Sequence, residues 1–594
     1  MRRKSKMSNH ERSIARSAKL RKNKLFFKPR IFVLTIFLLL TTFCLYQIKP
    51  VSSSTIHVPT EYGTIQAAVD NAIAGDTIQV GPGVYYEHVL VNKSLIIVGE
   101  NPQTTIVDGT GNGTIFNLEG SNIYISGFTI RNAGNNSSGI TSEREIVTSD
   151  YHQISSNIIT TSLYGVYLSS SSRNTIFNNT LINNFFGGIY LMDTDYTNIT
   201  ANTITEGAYG IKAVLSLNNI IVDNTISQTS YAIHLSSSST GNTIRNNVLS
   251  GRTAGVASNS DSTTIDHNTI TEGAYGIYLY NCESASIYYN TLMNNSYGMA
   301  LYCSSATTTS HTISNNKILY ADWAIELVNS NGNTFTGNWL QQNTYGIYMA
   351  SSSSNTIYRN NFVDNNMQAY SGTGAGNVWD KNIPGEGRQG NYWSDYTGID
   401  ANSDGIGDTP YRITPVGADN YPLTNTWSEH DISIENVTLS TNETYIGSIV
   451  DINVTVKNKG ELGIPETFNL TVKYDTNTIE TKIVANLAAG ADQTLTFNWN
   501  TTEVVSGNYT ISAEASTVSD ELNTDNNRHI DGMINVIILG DIDGDGDVDP
   551  DDFAIFAGAY GTSPPSDPRA DLDRDGDVDP DDFAIFAGSY GISV

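Results

Sequence analysis

The sequence predicts an all-β chain: a parallel β-helix solenoid followed by a β-sandwich, with a small helical module at the C-terminus and a transmembrane helix at the N-terminus. Three observations carry this. Two residue ladders recur about every 22 residues through the middle of the 594-residue chain. Alternating strands at hairpin spacing follow without that period. One Asp-rich segment is then written twice near the end.

The N-terminus sets the compartment. Residues 1–30 carry 12 Lys/Arg and one acid, Glu11, while the remainder has 20 Lys/Arg against 59 acids. Residues 31–48 (IFVLTIFLLLTTFCLYQI) are uncharged and follow the basic block. That is near the shortest length that crosses a bilayer. The positive block predicts a cytoplasmic segment over 1–30 and an anchor over 31–48, with everything after it outside. The competing reading is a long signal peptide cut near Ser52–Ser54, which leaves a secreted protein. Six Asn-x-Ser/Thr sequons between Asn436 and Asn508 agree with an external, glycosylated chain. The acidic remainder excludes nucleic acid as a partner and suits divalent cations. Three Cys exclude a disulfide scaffold. Only 15% of residues are charged, which excludes a disordered polyelectrolyte.

The repeat fills residues 55–372. A small residue before an apolar one, often within Tyr-Gly-Ile-Tyr-Leu, falls at Gly165, Gly188, Gly210, Ala232, Gly255, Gly276, Gly298, Ala324 and Gly346. The last Asn of an Asn-x-Ile/Leu element falls at Asn157, Asn179, Asn202, Asn224, Asn247, Asn268, Asn290, Asn316, Asn338 and Asn361. Both ladders stretch between Gly298 and Asn316, which places an insertion there. Apolar residues alternate within each unit, as in Val166 and Leu168, the period of a strand. About 22 residues make one coil, and coils stack at ~4.8 Å. Stacked Asn side chains then bond along the stack. A leucine-rich solenoid is excluded because its Leu pattern is missing. Thr64 to Ala74 (TIQAAVDNAIA) reads as a short amphipathic helix that covers the open end of the solenoid.

The opening GDTIQVGPGVYYEHVLVNKSLIIVGE resembles that of pectin-lyase-like right-handed β-helix proteins, and the Asn/Gly repeats resemble the NosD-like family of carbohydrate-directed β-helices. The resemblance runs over roughly 56–425 and implies a right-handed helix directed at polysaccharide or envelope glycan. Residues 373–425, with NYWSDYTGIDANSDGIGDTPY and DNYPL, resemble the end of NosD-like chains. There Asp400, Asn402, Asp404 and Asp408 place oxygen ligands around a glycine turn, which suits Ca²⁺. The alternative is a polar loop of Asx-turns. NosD-like proteins are also associated with copper-site maturation. Copper calls for soft or imidazole ligands, and nine His and eight Met lie scattered without a pair at ligand spacing, so copper is set aside.

Outward positions on the solenoid alternate with buried Ile and Leu. They are Tyr167, Tyr190, Lys212, His234, Ala257, Tyr278, Ala300, Glu326 and Tyr348. Tyr167, Tyr190, Tyr278 and Tyr348 form a stacking row for sugar rings, or are simply good strand residues. A β-helix lyase or hydrolase needs a charged cluster. The candidates are Asp193 with Asp195, Asp266 with His267, and Glu143 to Glu145. Cys282 and Cys303, 21 residues apart, sit on neighbouring coils as a disulfide or as two thiols.

Residues 431–536 carry about seven short alternating strands, the pattern of a β-sandwich, and resemble CARDB-type Ig-like modules, which act as spacers or adhesion units. Residues 537–594 hold 15 Asp and two Arg. Asp541, Asp543, Asp545, Asp547, Asp549 and Asp552 occupy ligand positions of a twelve-residue Ca²⁺ loop with Gly546 at the sharp turn. Asp571, Asp573, Asp575, Asp577, Asp579 and Asp582 repeat it thirty residues on. Each loop leads into one helix (DDFAIFAG) with none before it, which resembles a type I dockerin. That implies Ca²⁺-driven folding and a cohesin-like protein partner. Pro550-Asp551 and Pro580-Asp581 stand where cellulosomal dockerins carry a Ser/Thr pair, which departs from standard cohesin recognition. Two functions follow as expectations. The first is a surface-anchored glycan-binding protein that docks a partner; the second is a polysaccharide lyase or glycoside hydrolase delivered by its dockerin.

Overall fold

The computed structural model describes residues 53–592 apart from 144–148, 386 and 462. The anchor expected at 31–48 and the basic segment before it lie outside the described residues. Among the described residues no helix is long and apolar enough to cross a membrane. Residues 55–594 form one compact unit.

The solenoid is built from parallel strands in register. One face is a 14-stranded sheet running from Thr55–Val58 to Thr356–Tyr358. Its inward column is Ile56, Ile78, Ile97, Ile125, Ile154, Ile176, Ile199, Ile221, Ile244, Ile265, Ile287, Ile313, Phe335 and Ile357, each paired with the next. Strict alternation drives this: Ile points in and a polar neighbour points out, so a slip of one residue would bury the polar set. The other two faces run together where one strand turns a corner, as in Ile158–Ser169 and Thr225–Ser236. The Gly ladder is required by space. A Cβ at Gly165 would lie 2.7 Å from the Gly188 carbonyl oxygen and 2.6 Å from Leu181.

The Asn ladder satisfies the corner backbone. Each Asn gives its backbone N–H and its Nδ2 to the Oδ1 of the Asn one coil on, as from Asn224 to Asn247 at 2.9 and 3.0 Å. Its Nδ2 also reaches the preceding coil's carbonyl, for Asn224 that of Ile199. The residue in the ladder after Asn338 is Asn360, one position before the Asn361 expected from spacing, and Asn391 follows. Asn361 instead bonds both backbone groups of Trp427. In an Asn-Asn pair, strand parity decides which member turns inward.

Both ends are closed. Helix α1 (Ile65–Asn71) is capped by the Thr64 hydroxyl, gives the backbone N–H groups of Ile65 and Gln66 to the Glu87 carboxylate, and buries Ile65, Ala68 and Val69 in the solenoid core. At the other end residues 373–425 fold over the last coil. Tyr392–Trp393 and Thr414–Pro415 still pair in parallel with it. Trp393 stacks between Phe362 and Tyr411, 4.2 Å from each. The Asn ladder ends on Asp419, a buried carboxylate that accepts from Asn391, Trp393 and Tyr421. Burial pushes its pKa up to about 6.

The following domain is a sandwich of a three-stranded and a five-stranded sheet. Its core holds Val450, Ile452, Val454, Leu470, Val472, Phe497, Trp499 and Ile511. The C-terminal segment has two ten-residue helices, α2 (Pro550–Ala559) and α3 (Pro580–Ser589), and a short 3₁₀ turn at Pro568–Ala570. Phe556 and Phe586, equivalent in the two halves, stack at 5.2 Å in its core.

Candidate functional site

One face of the solenoid is aromatic, in two columns. The outward column expected from the sequence is in register: Tyr167, Tyr190, Lys212, His234, Ala257, Tyr278, Ala300, Glu326 and Tyr348 pair coil to coil, and the structure extends it by Tyr370. A second column lies three residues earlier on each strand and was not singled out in the sequence. It contains Tyr164, Tyr209, Tyr231, Tyr275, Tyr297, Trp323 and Tyr345, with Gly187 and Ala254 at two rungs. Its signal was present: the residue before the Gly or Ala anchor is Tyr in six coils. The Gly-Ile pair between the columns sits inward, so both flanking residues point out.

The two columns stack along the axis and across it. Tyr297, Trp323 and Tyr345 lie nearly parallel, at 4.7 and 5.8 Å. Tyr348 stacks on Tyr370 at 4.7 Å, and Tyr275 lies 4.9 Å from both Tyr278 and Tyr297. Tyr167, Tyr278 and Tyr348 are half-buried among neighbouring rings. Tyr190 is only 9% exposed, closed over by Tyr164, Tyr167 and Phe186, and is floor rather than platform. The rungs of Ala257 and Ala300 are low steps between these rings.

Charged groups enter this face at two places. Lys212 and His234 occupy neighbouring rungs near one end. Glu326 lies near the other, about five coil spacings or ~24 Å away, and accepts a hydrogen bond from the Tyr302 hydroxyl. Burial raises the pKa of Glu326 and, with the Glu326 charge, that of Tyr302. Burial, aided by Lys212, pushes His234 down to about 4, so its imidazole is neutral at neutral pH.

The carboxylates considered for catalysis stand elsewhere. Asp193 and Asp195 lie on a corner. Asp193 accepts from the Ser170 hydroxyl and Asp195 from the Leu217 N–H, and among the described residues no third acid joins them. Asp266 is buried; it accepts from Arg245 Nε and pairs with His267, whose other nitrogen meets Asp520 of the sandwich at 2.8 Å. This pair is a domain junction. Glu143 is exposed, and Glu145 lies outside the described residues. Cys282 and Cys303 are free buried thiols, and burial pushes Cys282 up to about 12.

Four clusters of possible metal ligands occur among the described residues, and all are carboxylates. They are Asp541, Asp543 and Asp552; Asp547, Asp549 and Asp552; and the equivalent sets Asp571, Asp573, Asp582 and Asp577, Asp579, Asp582. Such hard oxygen donors fit Ca²⁺. They do not fit copper. Asp547 Oδ1 is buried without a hydrogen-bond partner. Burial and neighbouring acids raise Asp543, Asp547 and Asp573, and neighbouring acids with burial raise Asp577. Asp545 and Asp575 each bond backbone within their own loops. Asp549 with Asp552, and Asp579 with Asp582, also form capping boxes for α2 and α3. The loop at 400–408 is folded by its own side chains: Asp400 accepts from Asp404 and Gly405, Asp408 from Ala401, and Asn402 donates to Asp404.

Comparison with known proteins comes at two levels. Among solved structures, a CARDB domain from Pyrococcus furiosus, in complex with di-metal ions, is 25% identical over 19% of this chain and 99% of that one, with a TM-score of 0.17. The A-module of an Azotobacter vinelandii mannuronan C-5 epimerase is 16% identical over 53% of this chain and 93% of that one, with a TM-score of 0.37. An alginate lyase from a Paenibacillus species is 13% identical over 50% and 99%, at 0.34. These values carry no argument about activity. No curated protein matches the chain. The family model for CARDB matches residues 429–530. The model described as periplasmic copper-binding protein (NosD) matches residues 69–253 and 248–398, more than half of the chain, and the protein belongs to the NosD family.

Proposed function

We propose that the protein is an extracytoplasmic glycan-binding solenoid, right-handed in its winding, that holds polysaccharide on its two aromatic columns. The observation that carries this is the in-register double row from Tyr164 to Tyr370, broken at the rung of Ala254 and Ala257, with Trp323 stacked between Tyr297 and Tyr345. Rings stacked along the axis present their edges and hydroxyls outward, and an in-register row at ~4.8 Å spacing suits an extended chain of sugar rings that lies across those edges. The family's periplasmic description agrees with a place outside the cytoplasm. Residues 31–48 supply the membrane anchor in this reading, or a signal that is cut. The C-terminal segment is a dockerin-like module: its Asp loops hold two Ca²⁺ ions, and the symmetric exposed pairs Phe553/Phe583 and Tyr560/Tyr590 face a cohesin-like partner. The loop at 400–408 is a third, weaker Ca²⁺ site.

Affinity electrophoresis of the full chain through a panel of polysaccharides tests the glycan reading. Trp323→Ala should weaken retention of the bound polymer about tenfold, since stacked aromatic rings dominate such contacts. No retention of any polymer by the wild type rejects the proposal. A second reading, a lyase or glycoside hydrolase, rests on Glu326: its raised pKa and its Tyr302 partner suit a general acid. Release of unsaturated or reducing ends that stops in Glu326→Gln, but not in Asp193→Asn or Asp195→Asn, would favour it.

A further inference from the structure

His267 stands where the solenoid meets the sandwich, and carboxylates face both of its ring nitrogens. Nδ1 lies 3.0 Å from Asp266 Oδ2, and Nε2 lies 2.8 Å from Asp520 Oδ1. A neutral imidazole has one N–H and one lone pair, so it serves one of these oxygens; the charged ring gives a proton to each. The two acids are held differently. Asp266 is fully buried on the solenoid, where Arg245 Nε reaches the same oxygen at 2.6 Å and Oδ1 has no hydrogen-bond partner among the described residues. Asp520 is partly exposed, in the loop between strands Gly507–Ala515 and Arg528–Ile537 of the sandwich, and its other oxygen takes the Ser519 hydroxyl at 3.4 Å. The groups packed around the ring do not make up the charge. Tyr288 and Tyr289 of the next coil lie 6.3 and 5.2 Å from it, and Tyr289 gives its hydroxyl proton to a third acid, Glu429. Lys317 is turned to the Leu522 carbonyl, beside Glu521 and Asp525. Two carboxylates and one guanidinium therefore meet at this imidazole, one positive charge short of balance.

We propose that His267 is a proton-operated latch: charged, it closes the junction between solenoid and sandwich, and neutral, it releases it. On losing a proton the ring keeps Nδ1–H, because Asp266 is buried and has Arg245 as its one other donor among the described residues. A buried carboxylate left unpaired costs more than one that water can reach. Nε2 then turns a lone pair toward Asp520 Oδ1, and the two electron-rich atoms repel. Asp520 is the acid that water reaches, so this contact opens. Leu522, two residues along the same loop, packs on Leu319 and Trp339, so release frees that plug as well. The sign follows from the charge. The latch is whole on the acid side and is lost as pH rises through the imidazole range, roughly pH 5 to 8. Above it the sandwich, with the C-terminal segment beyond, gains freedom against the solenoid. His430 also meets a carboxylate, that of Glu466, but through Nδ1 alone, at 2.6 Å. A neutral ring keeps a single contact of that kind.

Amide hydrogen exchange on the full chain reads the latch, toward the two ends of the imidazole range at about pH 5.5 and 8.5 and corrected for the intrinsic rate. Protection over residues 516–525 should fall about tenfold from the acid to the alkaline condition, the weight of one charge-assisted hydrogen bond, while the solenoid coils keep theirs. His267→Phe keeps a ring against Tyr289 but carries no proton, and it should show the low protection under both conditions. Asp520→Asn should make the profile flat, because an amide accepts from the charged ring and gives to the neutral one. His430→Gln should leave the fall in place. If His267→Phe also lowers protection in the solenoid, Asp520→Asn carries the comparison. Wild-type protection that stays level or rises with pH would overturn the proposal. So would a fall that persists in Asp520→Asn or in a folded His267→Phe variant, or one that His430→Gln removes.

Discussion

At the scale of the residue, the solenoid depends on side chains that act as backbone. Asn247 accepts from Asn224 and gives to Asn268, Ile221 and Arg245, all within 3.0 Å. Asn247→Ala leaves buried groups unpaired at roughly 1–3 kcal/mol each, so thermal unfolding should show a loss of several kcal/mol. His311 holds the equivalent place in a neighbouring polar column: its Nδ1 accepts from Ala285 N–H, and its own N–H gives to Asn333. Burial pushes this imidazole down to about 4. An unfolded histidine titrates near 6.5, so the unfolded chain takes up the proton first. The stability tied to the neutral ring is whole above about 6.5 and falls as pH drops toward 4, on the order of 3 kcal/mol for this group. His311→Asn keeps the acceptor without the titration. The variant should match the wild type in melting temperature at pH 8 and exceed it at pH 4.5; an unchanged difference across that range would refute this role. The Asn column was legible because it repeats in sequence at the coil period. The Tyr and Trp column repeats at the same period but is broken at Gly187 and Ala254, and it stands before the Gly anchor, where an inward pair interrupts the strict alternation of a strand. The switch from Asn361 to Asn360 could not be read from spacing, since both fit within one residue.

At the scale of the element, the twin Asp loops show how far a motif reaches. The close grouping of their acids, the glycine turn and the two following helices were legible, because each is local in sequence. The structure adds that Asp552 and Asp582 also receive backbone N–H groups from the start of their own loops, through Ile542 and Asp543, and Leu572 and Asp573. Each helix start is thus tied to its Asp loop. Calcium titration of the full chain should reveal two strong sites, one lost in Asp541→Asn and the other in Asp571→Asn. Chelation should expose 537–594 to protease while the solenoid stays intact. Protection that persists without calcium would count against ion-driven folding there. The sandwich strands were legible from alternation. The corner role of Asp193 and Asp195 was not, because their partners come from other coils.

At the scale of the whole molecule, solenoid and sandwich meet through residues far apart in sequence, which no motif could announce. Leu522 packs with Leu319 and Trp339, and its carbonyl accepts from Lys317 Nζ at 2.7 Å. His267 meets Asp520, and Tyr289 gives its hydroxyl proton to Glu429 at 2.5 Å. Leu522→Asp places a charge in this contact and should split thermal unfolding into separate steps by calorimetry, where the wild type couples them. The Asn ladder adds a consequence about length. It has a direction: each member gives N–H groups one coil on, and the last receiver is Asp419, which has oxygens alone to offer. Copies of the middle coil are therefore interchangeable, while the two ends are not. Cutting out one coil, such as Gly255–Tyr275, shortens the molecule by one step and leaves donor still facing acceptor. The stack works as a ruler. A lineage can lengthen or shorten its aromatic row in whole coils, and the reach of that row should change in the same increments.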